Sequence, residues 1–276
     1  MMTPRNFAKG VIPHGTTTVV TDPHEIANVC GLEGVRYMHQ AGDDLPMRQL
    51  IDIPSCVPAV PGLENAGAEF FAAEVEELSG LDRVIGLAEV MDFLAVIHGE
   101  DRMMDIIDVM DKKGLYLQGH APYVSGRMLS AYLCGGPNTC HETRDRKEAL
   151  EKLRSGMFVD ARDSSITKNV QEVYEGVKGV RFFDHLCLCT DDREADDILH
   201  VGHMNDVVRS AIRCGMDPVT AIKSATLNTA REIHLENLGA IAPGYVADLL
   251  LLDDLREMKP SHVFFGGKLV ARDGRL

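Results

Sequence analysis

The strongest constraint on this chain is a rhythm. From residue 16 to residue 215, short apolar runs alternate with amphipathic, charge-rich segments, as strands and helices alternate around a parallel sheet. The runs Thr16 to Thr21, Leu50 to Pro54, Val84 to Met91, Leu115 to Gly119, Thr139 to Glu142, Met157 to Ala161 and His185 to Thr190 predict seven strands. Between them, segments such as "DRMMDIIDVMDKKG", "RKEALEKLRSG" and "ITKNVQEVYEGVKG" place apolar residues at helical spacing and close on glycine, which suits the end of a helix. Seven strands are too many for a small flavodoxin-like sheet and one short of an eightfold barrel. After Gly215 a helical pair, "DPVTAIKSATLNTAREI", gives way to two β-rich stretches with turns at Pro243-Gly244 and Gly266-Gly267. Residues 1–235 are therefore expected to form the barrel, and 236–276 the start of an accessory β subdomain.

Composition narrows the partners. The 28 basic and 42 acidic residues give a formal charge of −14, which argues against a sequence-independent grip on nucleic-acid phosphates but leaves a lone nucleobase open as a ligand. The seven cysteines, at 30, 56, 134, 140, 187, 189 and 214, are odd in number and mostly embedded in apolar runs. They read as reduced, packed thiols of a cytoplasmic protein, with Cys187 and Cys189 filling the core. No stretch approaches a membrane span, and "MMTPRNFAKG" lacks the apolar centre of a secretory signal.

The polar residues collect at one end of the predicted strands, where parallel α/β folds bind ligands. Glu89 lies inside the apolar run "VIGLAEVM", where a buried carboxylate needs a cation or several donors. "GLYLQGHAP" delivers His120, "NTCHET" delivers His141 with Glu142 beside it, and "HLCLCTDD" ends on Asp191 and Asp192. Each of these alone has an ordinary explanation, as a hydrogen-bonded strand-end histidine or a helix cap. Together they offer imidazole nitrogen and carboxylate oxygen without thiolate, the ligand set of a hydrolytic Mn, Fe or Zn site.

The combination "PHGTTTVVTDPHEIANVCG", "GLAEVMDF", "GHAP", "CHE", "CTDD", "ATLNTAR" and "GAIAPGYVADLLLLDD" resembles the amidohydrolase superfamily and, within it, the adenine deaminases, over essentially the whole chain. The last of these stretches is shared across the superfamily and is weakly specific; the first two are much more specific. The resemblance implies an α/β fold, a (β/α)8 TIM-type barrel with a small flanking β domain, and a binuclear divalent-metal centre at its mouth. Mn or Fe is the first choice there, with Zn compatible. It assigns Glu89 as the bridging ligand, His120 and His141 as further ligands, and Asp191 as ligand and proton acceptor. The activity it implies is hydrolysis of adenine to hypoxanthine and ammonia in purine salvage, by a homo-oligomer acting on a small molecule and water. His24 and Glu25 follow the first strand and are expected at the mouth, either touching metal or purine or making a turn. Asp192 is expected to orient or cap, and His203 to cap the last barrel helix in preference to contacting substrate. His200 and Glu142 are expected one layer behind the ligands.

The resemblance also has gaps. The family opens its barrel with a strand bearing His-x-His, and no such pair occurs here. The expectation is a barrel lacking its first strand, in a chain truncated at both ends, with the His-x-His encoded upstream of Met1. Rival readings are an N-acetylglucosamine-6-phosphate deacetylase, for which Arg162 and Arg193 are the candidate phosphate anchors, and an inactive fragment.

Overall fold

The computed structural model describes residues 2–276. All seven predicted runs form strands: β1 Thr18–Thr21, β2 Arg48–Ile53, β3 Val84–Val90, β4 Tyr116–Gly119, β5 Thr139–Cys140, β6 Phe158–Arg162 and β7 Leu186–Cys189. The pairing is parallel throughout, with β1 to β4 in one ladder and β5 to β7 in another. The ladders meet where Gly119 passes Thr139. The Gly119 N–H donates to Thr139 Oγ1 at 2.9 Å, and a Cβ on Gly119 would stand 2.1 Å from the Thr139 carbonyl oxygen. Only glycine allows that approach. Chain order is thus spatial order through seven strands, as in the wall of an α/β barrel. Among the described residues no ladder joins β7 to β1, so the wall is that of an eightfold barrel short of one strand.

Alternation along the strands sorts the side chains. Ile53, Leu87 and Leu117 pack outward into one apolar core beneath the helices, and Val159, Ala161, Leu186 and Leu188 into another. The helix Asp101–Lys112 shows why such helices dock: Met103, Ile106, Ile107 and Met110 fall on one stripe and are all buried, each contributing about 1.5–3 kcal/mol when fully removed from water. The intervening strand residues Tyr116, Asp160, Arg162 and Cys187 take the opposite, inner face and are buried too. The inside of the wall is polar.

All strand ends fall within two residues of the expected ones, and two of the shifts bear on the site. β5 stops at Cys140, which leaves His141 and Glu142 in the following turn, and β6 runs on to Arg162 because Arg162 pairs with Cys189 of β7. Beyond the helices Pro218–Ser224 and Leu227–Glu232, an antiparallel sheet is built from β8 Leu249–Leu252, β9 Pro260–Phe265 and β10 Lys268–Arg272, with β9 central. Gly266 and Gly267, at φ 55° and 79°, make the β9–β10 hairpin, as a two-residue turn with positive φ at both positions requires. The sheet shares a core with the chain's first helix, Pro4–Val11: Val263 and Ala271 pack with Ala8, Val11, Ile12 and Ile198. None of the described helices is long and apolar enough to cross a membrane.

Candidate metal centre

Glu89 is the hub. It sits next to last in β3, where the register with β4 shifts between Leu87 and Val90, and its backbone carbonyl accepts from Ser55 Oγ at 2.7 Å. Its Oε2 lies 2.7 Å from His120 Nδ1 and 3.0 Å from His141 Nε2, and the two imidazoles meet edge to face with ring centroids 5.4 Å apart. Each histidine stands one residue beyond its strand, carried there by β4 and β5. Three of the four residues predicted as ligands therefore converge.

Burial alone would favour the neutral acid at Glu89, but hydrogen bonds from His120 and His141 outweigh it and hold the carboxyl far below the usual carboxylate range. The converse holds for His141. Burial disfavours its charge, yet Glu89, reinforced by Asp191 and Asp160, lifts its pKa to about 9.

A second group reaches the same carboxylate from β1. His24 donates through Nδ1 to Asp22 Oδ2 at 2.7 Å, and ligand atoms of Asp22, His24 and Glu89 lie within 4.8 Å of one another. Burial opposes charge on His24, but the Asp22 hydrogen bond and the fields of Asp22, Glu25 and Glu89 raise it to about 10, while burial raises Asp22 to about 6. Asp22 was not foreseen. Its signal was the position, one residue past a strand tip, that singled out the histidines. Glu25 is exposed and acts on His24 only through its charge.

Asp191 stands near enough to raise His141, but its carboxylate pairs with Arg162 Nη1. Arg162 Nη1 also lies 2.5 Å from Glu142 Oε1, and Glu142 Oε1 is 4.0 Å from His141 Nε2. Asp191 has φ 53°, a left-handed backbone that aspartate tolerates better than most residues.

Other expected positions lie elsewhere. The residue preceding helix Ala195–His200 is Glu194, so Asp192 does not cap that helix; it offers its carbonyl to Ser165 N–H at 3.0 Å. His203 precedes Met204–Arg213 but makes no side-chain cap; it is buried, with Nδ1 2.9 Å from Thr16 Oγ1 and its ring edge-on to Phe7. Its backbone N–H donates to Asn205 Oδ1 at 2.9 Å. His200 is a surface residue facing Asp196.

The donor set fits a first-row divalent ion. Two imidazole nitrogens and a carboxylate oxygen already face one another, and Asp22 Oδ1 is buried without a hydrogen-bond partner, the state of a ligand oxygen awaiting a cation.

Residues 1–270 match the sequence profile of the amidohydrolase family. An adenine deaminase 2 of Carboxydothermus hydrogenoformans is 43% identical over 276 residues, covering 100% of this chain and 48% of that protein. An adenine deaminase of Kosmotoga olearia is 41% identical over 280 residues with the same two coverages. The chain thus spans about half the length of the curated relatives it matches. Among solved structures, the β-aspartyl dipeptidase of Fervidobacterium islandicum superposes with a TM-score of 0.68 at 18% identity, over 98% of this chain and 78% of that one. An N-acetylglucosamine-6-phosphate deacetylase of Thermotoga maritima does so with 0.64 at 14%, over 97% and 82%. At those identities the likeness is one of fold.

Proposed function

The chain belongs to the amidohydrolase family, and we propose that its Glu89 centre serves the hydrolytic deamination of adenine to hypoxanthine and ammonia. The observation that carries the reading is the grip of two strand-tip imidazoles on one largely enclosed carboxylate, with Asp22 and His24 beside it. Glu89, His120 and His141 would hold a divalent ion, with Asp22, His24 and Asp191 available to a second. Mn and Fe suit these ligands, as does Zn. When bound, such an ion makes a water nucleophile available near neutral pH.

The remaining work falls to the chain. Water adds at C6 of the purine and the C6–amine bond breaks, so both protons leave the water oxygen, one for ring nitrogen N1 and one for the amine, which departs as ammonia. Asp191 is the group for that transfer: a carboxylate at the mouth, 26% exposed on its side chain and steadied by Arg162. A neutral base also suits a chain of formal charge −14.

The deacetylase reading would need a cation for the substrate phosphate. Both candidates are committed. Arg162 is held by Glu142 and Asp191, and Arg193 by Asp206 at 2.5 Å and the Asp163 carbonyl at 2.9 Å. Within this reading residues 1–235 act as the barrel and 236–276 as an accessory β unit. The seven free cysteines fit a reducing cytoplasm, and the open edges of β1 and β7 favour a homo-oligomer.

The test is to load the purified protein with Mn and follow adenine loss and ammonia release, alongside an N-acetyl amino-sugar phosphate. Adenine turnover that Asp191→Asn abolishes while metal content persists is the expected result. Turnover of the sugar phosphate alone would overturn the assignment.

A further inference from the structure

Behind the two histidines lies an ion pair that no step above uses. Lys152 is wholly buried on the helix Arg146–Arg154, one turn after Glu148, which is 6% exposed. A buried ammonium and carboxylate are costly to desolvate, so their other contacts matter. Lys152 Nζ donates to the Ala121 carbonyl at 2.6 Å, next to His120, and reaches Cys140 Sγ at 3.1 Å and Thr143 Oγ1 at 3.5 Å, on either side of His141. It pairs with Glu148 Oε1 at 2.5 Å. Glu148 in turn accepts from the Tyr123 N–H through Oε1 and from the Arg144 N–H through Oε2, both at 2.9 Å. Each member of the pair therefore binds both turns, the one after β4 and the one after β5.

We propose that the Lys152–Glu148 pair is a clamp that sets the spacing of His120 and His141, and through them the metal affinity of the centre. The inference rests on the reading of Glu89, His120 and His141 as ligands. The two turns have no ladder of their own beyond Cys140. Their joint register rests on Gly119 against Thr139 below, on the Ala121 N–H that donates to Cys140 Sγ at 3.4 Å, and on this pair, which alone ties both turns to the helix behind. Helix Arg146–Arg154 is a firm anchor for it, since Asp145 caps it by accepting from the Lys147 and Glu148 N–H groups at 2.8 and 2.9 Å. Both residues are positioning residues: neither lies among the atoms that would touch the ion. Groups that orient metal ligands from behind are typically worth 10–100-fold in metal affinity.

The experiment measures Co(II) binding and the Co(II) absorption spectrum of wild type, of Lys152→Met combined with Glu148→Gln, and of Glu148→Asp. The double variant removes both buried charges together, which avoids stranding one of them. Glu148→Asp keeps the charges but shortens the arm that reaches the Tyr123 and Arg144 amides. The clamp predicts a dissociation constant raised at least about tenfold and an altered spectrum in every variant that keeps the wild-type circular dichroism. Wild-type affinity and spectrum in either folded variant would overturn it. Uptake of no cobalt by wild type would instead overturn the reading of the Glu89 centre, and the clamp with it.

Discussion

Two groups of acids lie along the inside of this wall, and their surroundings push their pKa values in opposite directions. At the strand tips Glu89 faces His120 and His141 and is held ionised. Deeper inside, Asp52 of β2, Asp160 of β6 and Glu232 lie near one another with Tyr116 and Cys187; the Tyr116 hydroxyl donates to Glu232 Oε1 at 2.9 Å. Among the described residues none of these three acids forms an ion pair. Burial raises all three carboxyls, and repulsion adds to the rise, from Asp22 on Asp52, from Glu232 on Asp160 and from Asp52 on Glu232. Both oxygens of Asp52 and Oδ1 of Asp160 lack a hydrogen-bond partner. The contrast teaches that a carboxyl in this wall is favoured as a charge where a cationic donor faces it, because removal from water penalises every carboxylate and such a donor offsets the penalty.

The largest effect should come from breaking the charged side of the contrast. Glu89→Gln removes the anion shared by the two imidazoles. Metal uptake, read by elemental analysis after dialysis, should fall more than about 100-fold, since even groups that merely orient ligands are worth 10–100-fold. Near-normal metal content in a folded variant would erase the distinction between the two clusters.

The neutral side is tested by pH. Asp52 and Asp160 start from an ordinary value of 3.8 and are raised in the folded state. The native protein then keeps protons that the unfolded chain has released, so their contribution is complete below about pH 4 and declines as pH rises, by up to about 1.4 kcal/mol per pH unit for each proton retained. Asp52→Asn and Asp160→Asn should each flatten that decline between pH 4 and pH 8 in urea unfolding. Slopes equal to wild type would mean these acids are ionised like Glu89.

The smallest effect at neutral pH concerns His203, a buried imidazole that no acid holds charged. Burial, then Arg193 and His14, lowers its pKa from 6.5 to about 3. A depressed histidine has the opposite window: stability is complete above pH 6.5 and lost as pH falls toward about 3, because the unfolded chain takes the proton first. His203→Gln should leave pH 7 behaviour nearly unchanged and reduce acid sensitivity below pH 6.5, as followed by unfolding at pH 4 and 7. Unchanged sensitivity at pH 4 would show that His203 does not govern the acid limb.

Much of this was legible in advance because strands announce themselves locally. An apolar run between amphipathic stretches marked each of the seven, and the polar residue just past each run marked the mouth. His120 was singled out by that rule, and Glu89 by the opposite signal, a carboxylate inside an apolar run; Asp22 obeys the rule too and was passed over because "TDPHEI" draws the eye to the histidine. Capping was the part of the reading that failed at His203 and Asp192. A polar residue before a helix is the usual cap, yet Glu194 stands at the start of one helix and the buried His203 side chain turns to Thr16 at the start of the other.

Periodicity alone dictated the α/β wall and its polar rim, since each follows from side chains within a few positions of one another. Folding in three dimensions decided the rest. Arg162 claims Asp191 across 29 residues, Lys152 ties Ala121 to Cys140, and Tyr116 meets Glu232 across 116 residues. Whether a buried acid is charged depends on which neighbour closes over it, and that neighbour comes from a different strand or helix.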